Sequence, residues 1–303
     1  MRPIKHAAVA AMLASSAVSV AENGPVPERA WQWETRAAAA HRFESDLDSG
    51  GEISMDRAYA SISTSHRLNA RTRIGFSLGY GEDRYDFAGK GALAGLSPWD
   101  RIRRAKVGAS VFHKINDRWT AYALPSVQFD AEKGASLNDG RSLGLLAGAS
   151  YKFGDSLTLG PGFGVFEQIE DDASFFPVLI VDWKITDELS LETGRGFAAS
   201  RGPGLQLRWR PDSSLEITAG ARYEQSRFRL DDKGSAPDGV GEADAVPFFL
   251  SAEYRVSPEF SLSLIGGAET AASLRLEDSD GKRITDSDSD TAPFIGLGLR
   301  WRI

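Results

Sequence analysis

The chain has 303 residues, a formal net charge of −7 and no cysteine. The lack of cysteine excludes disulfides and thiolate metal sites, and the mild acidity argues against nucleic-acid binding as the main role. Mean hydropathy is −0.28. The best internal apolar run, FFPVLIV at 175–181, is far shorter than the roughly 20 residues that a membrane-spanning helix needs.

The first residues have the three parts of a secretory signal. Arg2 and Lys5 precede a short apolar stretch, which ends in the small residues Ser-Val-Ala just before Glu22. This arrangement predicts export and cleavage before Glu22. We therefore divide the chain into three segments: a signal peptide at 1–21, a short periplasmic linker at 22–30 and a single β-barrel domain at 31–303.

From residue 31 onwards, apolar side chains recur at every second position. In the final stretch FIGLGLRWRI, Ile295, Leu297, Leu299 and Trp301 alternate with glycine and arginine. A period of two separates the two faces of a strand, whereas a helix would mix them. The pattern predicts about fourteen strands, each near the length that crosses a bilayer at a tilt. They lie near 31–45, 53–67, 72–87, 102–115, 118–131, 141–153, 156–168, 174–185, 188–198, 204–210, 214–229, 247–256, 259–275 and 292–303.

Two classes of connection separate these strands. Short turns rich in Asn, Asp, Pro and Ser lie at 69–72, 116–118, 154–156, 186–188, 211–214 and 257–259. Longer connections include 88–100, 231–245 and 278–292. The two classes alternate strictly in this assignment, which is typical of barrels with short periplasmic turns and long outer loops. Within 53–67 the apolar residues change parity near Arg57, which predicts a bulge or a misplaced boundary.

Aromatic side chains cluster near the predicted periplasmic ends of the strands. Amphipathic rings prefer the interface between lipid and water, so these residues predict an aromatic girdle. Its predicted members are Trp31, Trp33, Trp119, Tyr151, Trp183, Trp209, Tyr254 and Trp301.

A signal peptide, amphipathic strands, short turns and long polar loops together resemble bacterial outer-membrane β-barrel proteins, and barrel families of unknown function more than any characterised porin. The resemblance covers essentially all of the mature chain. It implies an all-β fold, a transmembrane up-and-down antiparallel β-barrel of about fourteen strands in the Gram-negative outer membrane, with both chain ends periplasmic. It also implies contact with outer-membrane lipid and lipopolysaccharide. The barrel-assembly machinery commonly reads a terminal Phe or Trp in such families, whereas this chain ends in Ile303, two residues after Trp301.

If the apolar faces meet lipid, the polar faces line the lumen, where charged groups can pair or stay hydrated. Glycines on several inner faces, such as Gly79 and Gly162, are expected to leave space, which favours a pore. The loops at 88–100 and 231–245 are placed to fold in and constrict it. The candidate lumen and selectivity residues are Arg36, Arg42, Arg73, Arg208, Arg210, Glu216, Arg222, Glu224, Glu253, Arg255, Glu269, Arg300 and Arg302.

The leading prediction is a passive channel for small polar or charged solutes, with no cofactor. One alternative is a closed structural or surface-interaction barrel, braced by Arg–Glu pairs and acting through long acidic loops. A hydrolase at the outer rim is less favoured, because His41, His66 and His113 do not lie near a serine and a carboxylate at that rim. DSDSD at 286–290 and DLDSGGE at 46–52 group oxygen ligands. Neither has the spacing of an EF-hand loop, so acidic solvated loops without metal are predicted.

Overall fold

The computed structural model describes residues 31–193 and 204–303. The predicted signal peptide and linker, and the end of the predicted strand 188–198, lie outside these residues. The strands are β1 Gln32–Asp46, β2 Glu52–Arg67, β3 Thr72–Ala88, β4 Arg101–Lys114, β5 Trp119–Glu132, β6 Arg141–Phe153, β7 Leu157–Gln168, β8 Asp171–Lys184, β9 Leu189–Thr193, β10 Gly204–Trp209, β11 Leu215–Arg222, β12 Glu224–Arg229, β13 Val240–Arg255, β14 Phe260–Glu277, β15 Arg283–Ser289 and β16 Ala292–Arg302. Within the described part of the chain, no helix is long and apolar enough to span a membrane.

These strands form one closed antiparallel barrel. Neighbours in sequence pair with one another, and β1 pairs with β16 to close the wall. β11 and β12 both pair with β13, and β15 and β16 both pair with β14, so each couple is a single interrupted wall strand. The barrel therefore has fourteen wall strands, which confirms the predicted fold class. The pairing of β1 with β16 joins the first and last described strands, so neither leaves an open edge in the hydrocarbon layer.

The two ends of the barrel differ in their connections. One end, called the turn end, carries the short connections 68–71, 115–118, 154–156, 185–188, 210–214 and 256–259. Both ends of the described barrel also lie there, since the backbone N–H of Trp33 donates to the carbonyl of Ile303 at 2.9 Å. The side-chain oxygens of Asn69, Asn116 and Asp212 accept backbone N–H groups within their own turns. The opposite end is called the loop end.

Large apolar side chains point outward along the middle of the strands. Leu78, Val107, Leu250 and Leu297 are examples, and Leu297 is 65% exposed. An exposed apolar band of this extent is unusual on a protein in water. It is the surface that a transmembrane barrel presents to lipid.

The parity change in the second strand has a cause other than the predicted bulge. β2 pairs with β1 and β3 through Arg57 without interruption. The register shift instead lies on β1, between Arg42 and Ser45. Apolar side chains of β2 point outward beside the lipid band but inward near the loop end, where Ile53 and Met55 are buried. The pattern changes because the interior itself becomes apolar there.

The wall strand formed by β11 and β12 is interrupted at Tyr223, where β12 turns away from the line of β10. β12 reaches across the loop end and forms a parallel bridge between Arg229 and Ala131 of β5. We call residues 224–245, the hairpin of β12 and the first part of β13, the strap. The strap converts the loop end into a narrower closed tier, whose wall includes β1 to β5 and β12 to β15.

An apolar core fills this tier. The connection 88–100 contributes Leu93 and Trp99, and the strap contributes Phe228, whose ring centroid lies 5.2 Å from that of Trp99. The inward placement of this connection agrees with the sequence-based expectation. The buried cluster consists of Leu47, Ile53, Met55, Tyr85, Leu93, Ala94, Trp99, Ile102, Phe228, Leu230, Ala236, Leu274 and Leu276.

Three sequence-based assignments at the loop end are wrong. The loop predicted at 231–245 ends at residue 239, because β13 begins at Val240 and pairs with the strap. The predicted loop 278–292 contains a strand, β15, which pairs with β14. Short and long connections do not alternate strictly, since only two residues join β7 to β8. These loop-end strands are polar and lack the alternation of apolar and polar residues that contact with lipid imposes. Their sequences therefore resemble loops.

The apolar core makes Phe228 a sensitive position, since its side chain is fully buried. We expect Phe228→Ala to lower the free energy of unfolding by about 3–5 kcal/mol, because the cavity cannot close fully. Denaturant titration of the detergent-solubilised barrel, followed by tryptophan fluorescence, measures the change. Ile284→Ala, at an exposed position of β15, is the control, and equal losses in the two variants would contradict a packed core.

Candidate functional site

Charged side chains gather inside the barrel where the lipid-facing wall meets the strap. Four arginines and four carboxylates lie at this level, each on the inward face of its strand. We call them the central charge cluster: Arg42, Arg57, Arg104 and Arg222 with Asp83, Asp130, Glu224 and Glu269.

Arg57 ties opposite sides of the lumen together. Its Nε lies 2.9 Å from Oδ1 of Asp83 on the neighbouring strand β3, and its Nη1 lies 2.9 Å from Oε2 of Glu224 on the strap. Glu224 also receives Nε of Arg222 at 2.6 Å. Breaking one member of a buried pair leaves an uncompensated charge and costs about 3–5 kcal/mol. These bonds therefore hold the strap against the wall.

Arg104 makes a second link between wall and strap. Its Nη2 lies 2.7 Å from Asp83 and donates to the hydroxyl of Ser226 at 2.6 Å, while Nη1 lies 3.4 Å from Asp130. Asp83 thus serves Arg57 and Arg104 together. Sequence analysis left out Arg57, Asp83 and Arg104 as candidates, although the parity change near Arg57 marked the right place.

Arg42 occupies the bulge of β1. Its guanidinium donates to the carbonyl of Ile53 at 3.1 Å and to the hydroxyls of Ser45 and Ser289 at 2.9 and 2.8 Å. Nε faces Glu269 at 2.7 Å. Every edge of this planar group therefore contacts an oxygen, which fixes its orientation.

Toward the turn end, smaller sets of ion pairs line the lumen. Arg208 pairs with Glu192 at 2.7 Å and with Glu216 at 3.2 Å, and Arg210 pairs with Glu216 at 2.8 Å. Of these candidates, Arg208 is buried inside the barrel, whereas Arg210 is half exposed at a turn.

A second set joins β13, β16 and β1. Glu34 lies 2.6 Å from Nε of Arg36 and 3.0 Å from Nε of Arg302, and Arg300 pairs with Glu253. The remaining candidates, Arg73 on β3 and Arg255 on β13, lie on inward faces and are partly buried.

A small, partly enclosed cavity lies beside the central charge cluster. Charged groups such as Arg57 and Glu224 line one part of it, and apolar groups such as Met55, Tyr85 and Leu274 line another. The arrangement can contact a solute through charge and through apolar surface at once.

Part of the inward face of β5 to β8 is apolar, a feature that the sequence pattern did not predict. Its buried cluster consists of Tyr122, Leu124, Leu146, Phe166, Phe176 and Val178. Aromatic rings lie flat over glycines of neighbouring strands: a Cβ on Gly164 would meet the ring of Phe176 at 2.0 Å, and one on Gly79 would meet Tyr59. The expectation that these glycines leave space in the lumen is therefore wrong there, because neighbouring rings fill it.

The predicted girdle residues lie near the turn end. Six of them are exposed tryptophans, and Tyr254 is also exposed. Tyr151 packs edge-on against Trp119 at 5.0 Å, and Trp31 stacks on His66 at 4.7 Å. The exposed tryptophans are Trp31, Trp33, Trp119, Trp183, Trp209 and Trp301.

The strap is also held on its far side. Arg227 pairs with Glu242 at 2.6 Å and with Glu277 of β14, and its Nε donates to the carbonyl of Ile169 in the turn between β7 and β8. Sequence analysis missed this buried set because the residues fall in segments that it assigned to loops or strand ends. In the described ranges, no group of three or more His, Asp or Glu is arranged to hold a metal ion.

A family model for a domain of unknown function, DUF6268, matches residues 48–302. The chain belongs to this family. The match runs from the first hairpin at the loop end to the last strand and so includes the strap and the central charge cluster. No curated protein matches the chain.

Solved structures with a similar fold include two from Pseudomonas. The COG4313 outer membrane channel from Pseudomonas putida F1 has 11% identity and a TM-score of 0.53, over 93% of this chain and 100% of that one. A Pseudomonas aeruginosa FadL homologue has 12% identity and a TM-score of 0.49, over 91% and 90% of the two chains. The first likeness supports the barrel fold of this DUF6268 member and, at this identity, nothing beyond the fold.

The ion pairs of Glu224 should make the stability of the strap sensitive to acid. Burial would raise the pKa of this carboxyl, but the charges of Arg222 and Arg57 outweigh burial and lower the pKa to about 2. Because the folded pKa lies below the ordinary 4.5, the stabilisation is present above about pH 4.5 and is lost as pH falls toward 2. In that window we expect the unfolding temperature to fall more steeply for the wild type than for Glu224→Gln. Parallel pH profiles of the two proteins would contradict the assignment.

Asp244, within the strap, should give the opposite pH dependence. Burial, followed by the charge of Glu242, raises the pKa of Asp244 to about 7, with Tyr223 and Arg275 also nearby. The favourable contribution is complete below pH 3.8 and is lost as pH rises through about 7. Thermal unfolding should therefore show Asp244→Asn more stable than the wild type at pH 8 and equal to it at pH 4. A constant difference at both pH values would refute the shift.

Proposed function

We propose that this protein is a passive outer-membrane channel for small polar or charged solutes. The observation that carries the proposal is the succession of charged groups along the lumen, from the pairs at Glu34 and Arg208 to the central charge cluster and its cavity. Charged groups inside a barrel are costly unless water or partners are present, and such rows are how pores select ions. The candidate selectivity residues named from sequence belong to this succession.

The proposal assigns the turn end to the periplasm and the loop end to the cell surface. Outer-membrane barrels place short turns and the chain ends in the periplasm. The exposed tryptophans near the turn end then lie at the inner interface, and the polar strands of the upper tier stand beyond the lipid. Lipid and lipopolysaccharide are the proposed partners of the outer face, and the barrel-assembly machinery is the proposed reader of the last strand.

A closed structural barrel is the second candidate. The apolar core of the upper tier and the bonds from Arg57 and Arg104 to the strap favour it, because both obstruct a straight path along the axis. The two candidates differ in whether the strap opens. In a channel the strap must yield to solutes, and in a closed barrel it stays in place.

Ion conductance in a planar bilayer tests the channel. We expect small discrete steps from the purified barrel, and we expect Arg208→Glu to change their size, because it reverses a charge that faces the lumen. Heat-modifiable migration on a gel shows that each protein is folded. A folded barrel that never conducts would remove the channel and favour the closed alternative.

A reversible disulfide tests the strap. The chain has no cysteine of its own, and Ala131 and Arg229 are direct backbone partners between β5 and the strap. Oxidised Ala131→Cys/Arg229→Cys should conduct less than the wild type, and a reductant should restore conductance. The control is Ser54→Cys/Asp86→Cys, a pair of partners on β2 and β3 that leaves the strap free. If oxidation of the first cysteine pair leaves the conductance unchanged, ions do not pass through the opening under the strap.

A further inference from the structure

The turn-end part of the lumen carries excess positive charge. On strands β13, β16 and β1, four arginines lie close to two glutamates, all on inward faces, with β14 between β13 and β16. We call this set the arginine cluster: Arg36, Arg255, Arg300 and Arg302 with Glu34 and Glu253. The central charge cluster, by contrast, balances four arginines against four carboxylates, so the excess is local to the turn-end side.

The backbone register forces two of these arginines together. Arg36 and Arg300 are direct partners in the pairing of β1 with β16, a position at which like charges destabilise a sheet. A shift of either strand by one residue would turn its arginine side chain toward lipid. The juxtaposition therefore costs stability in the absence of an anion, which a purely structural role would not require.

Three carboxylates lie near these four arginines, because Glu216 of β11 is the backbone partner of Glu253 and acts on Arg300. Glu34 forms ion pairs with Arg36 through one oxygen and with Arg302 through the other. Arg300 reaches Glu253 across β14, where the intervening lumen residues are the small Ser261 and Ser263. Neither serine carries a charge that could compensate the arginines, and Ser261 is buried beneath the set.

Nearby strands add charge of the same sign. Arg73 on β3 and Lys106 on β4 lie on inward faces, two and three strands from β1. The protein as a whole is acidic, at −7, so the positive sign of this part of the lumen is opposite to that of the molecule. Rings of arginine and lysine are the usual lining of anion and phosphate pores.

We propose that the arginine cluster is a binding subsite for small anions that carry a carboxylate or phosphate group, and that it makes the lumen anion-selective. The selectivity rests on the proposed channel function, whereas the subsite exists in a channel or in a closed barrel. Planar guanidinium groups match the oxygen pairs of carboxylate and phosphate. A bound anion also relieves the repulsion between Arg36 and Arg300.

Reversal potentials across a KCl gradient test the selectivity. The wild type should pass chloride in preference to potassium, and the permeability ratio should fall toward one in Arg300→Gln/Arg302→Gln. The matched control is Arg84→Gln, which removes an exposed arginine of β3 outside the lumen and should keep the wild-type ratio. If the double variant fails the gel assay for folding, Arg302→Gln alone takes its place. Preference for potassium in the wild type would overturn the inference while leaving the channel intact.

Thermal unfolding tests the subsite without conductance. Inorganic phosphate should raise the unfolding temperature of the wild type above its value in chloride of equal ionic strength, because a ligand of the native state stabilises it. The arginine variants should lose this increase, and Arg84→Gln should keep it. If the folded barrel never conducts but phosphate still raises its unfolding temperature, the channel proposal fails and the subsite proposal stands. The absence of any phosphate effect in the wild type would overturn the subsite.

Discussion

Backbone hydrogen bonding in hydrocarbon is the constraint on which the whole structure depends. Lipid offers no partner to an N–H or C=O group, so the wall must pair every strand with two others. The pairing of β1 with β16 meets this requirement. It also fixes the register of every strand, and hence which residues face the lumen. The opposition of Arg36 and Arg300 is one consequence of closure.

The interior changes character along the axis. Within the lipid-facing part it carries ion pairs on one side and the apolar cluster of β5 to β8 on the other. Beyond the lipid, the strap narrows the wall and an apolar core fills it. The central charge cluster lies where these parts meet, and Arg57 and Arg104 bind wall to strap there. In the proposed channel a solute would pass this level beneath the strap, whereas the proposed anion selection lies nearer the turn end.

Acid and base both weaken the strap, each through a different carboxyl group. Glu224 stabilises it through its ionised form, held by Arg222 and Arg57. Asp244 is better tolerated in its protonated form because it lies buried near Glu242. The strap is therefore attached through electrostatics as well as packing, and its stability should be greatest between the two titrations.

The sequence by itself determined the strand type, the number of wall strands, their short turns and the exposed aromatic positions, because lipid imposes a period of two that each strand shows locally. It also named most charged residues of the lumen, including Arg42, Arg208 and Arg300. Only the tertiary structure decided that β12 leaves the wall to pair with β5, that Arg57 and Asp83 are central, and that rings fill the space over Gly79 and Gly164. These features depend on contacts between strands that are far apart in sequence. Beyond the lipid the interior also becomes apolar, so the alternation of apolar and polar residues no longer distinguishes the inward face of a strand from its outward face.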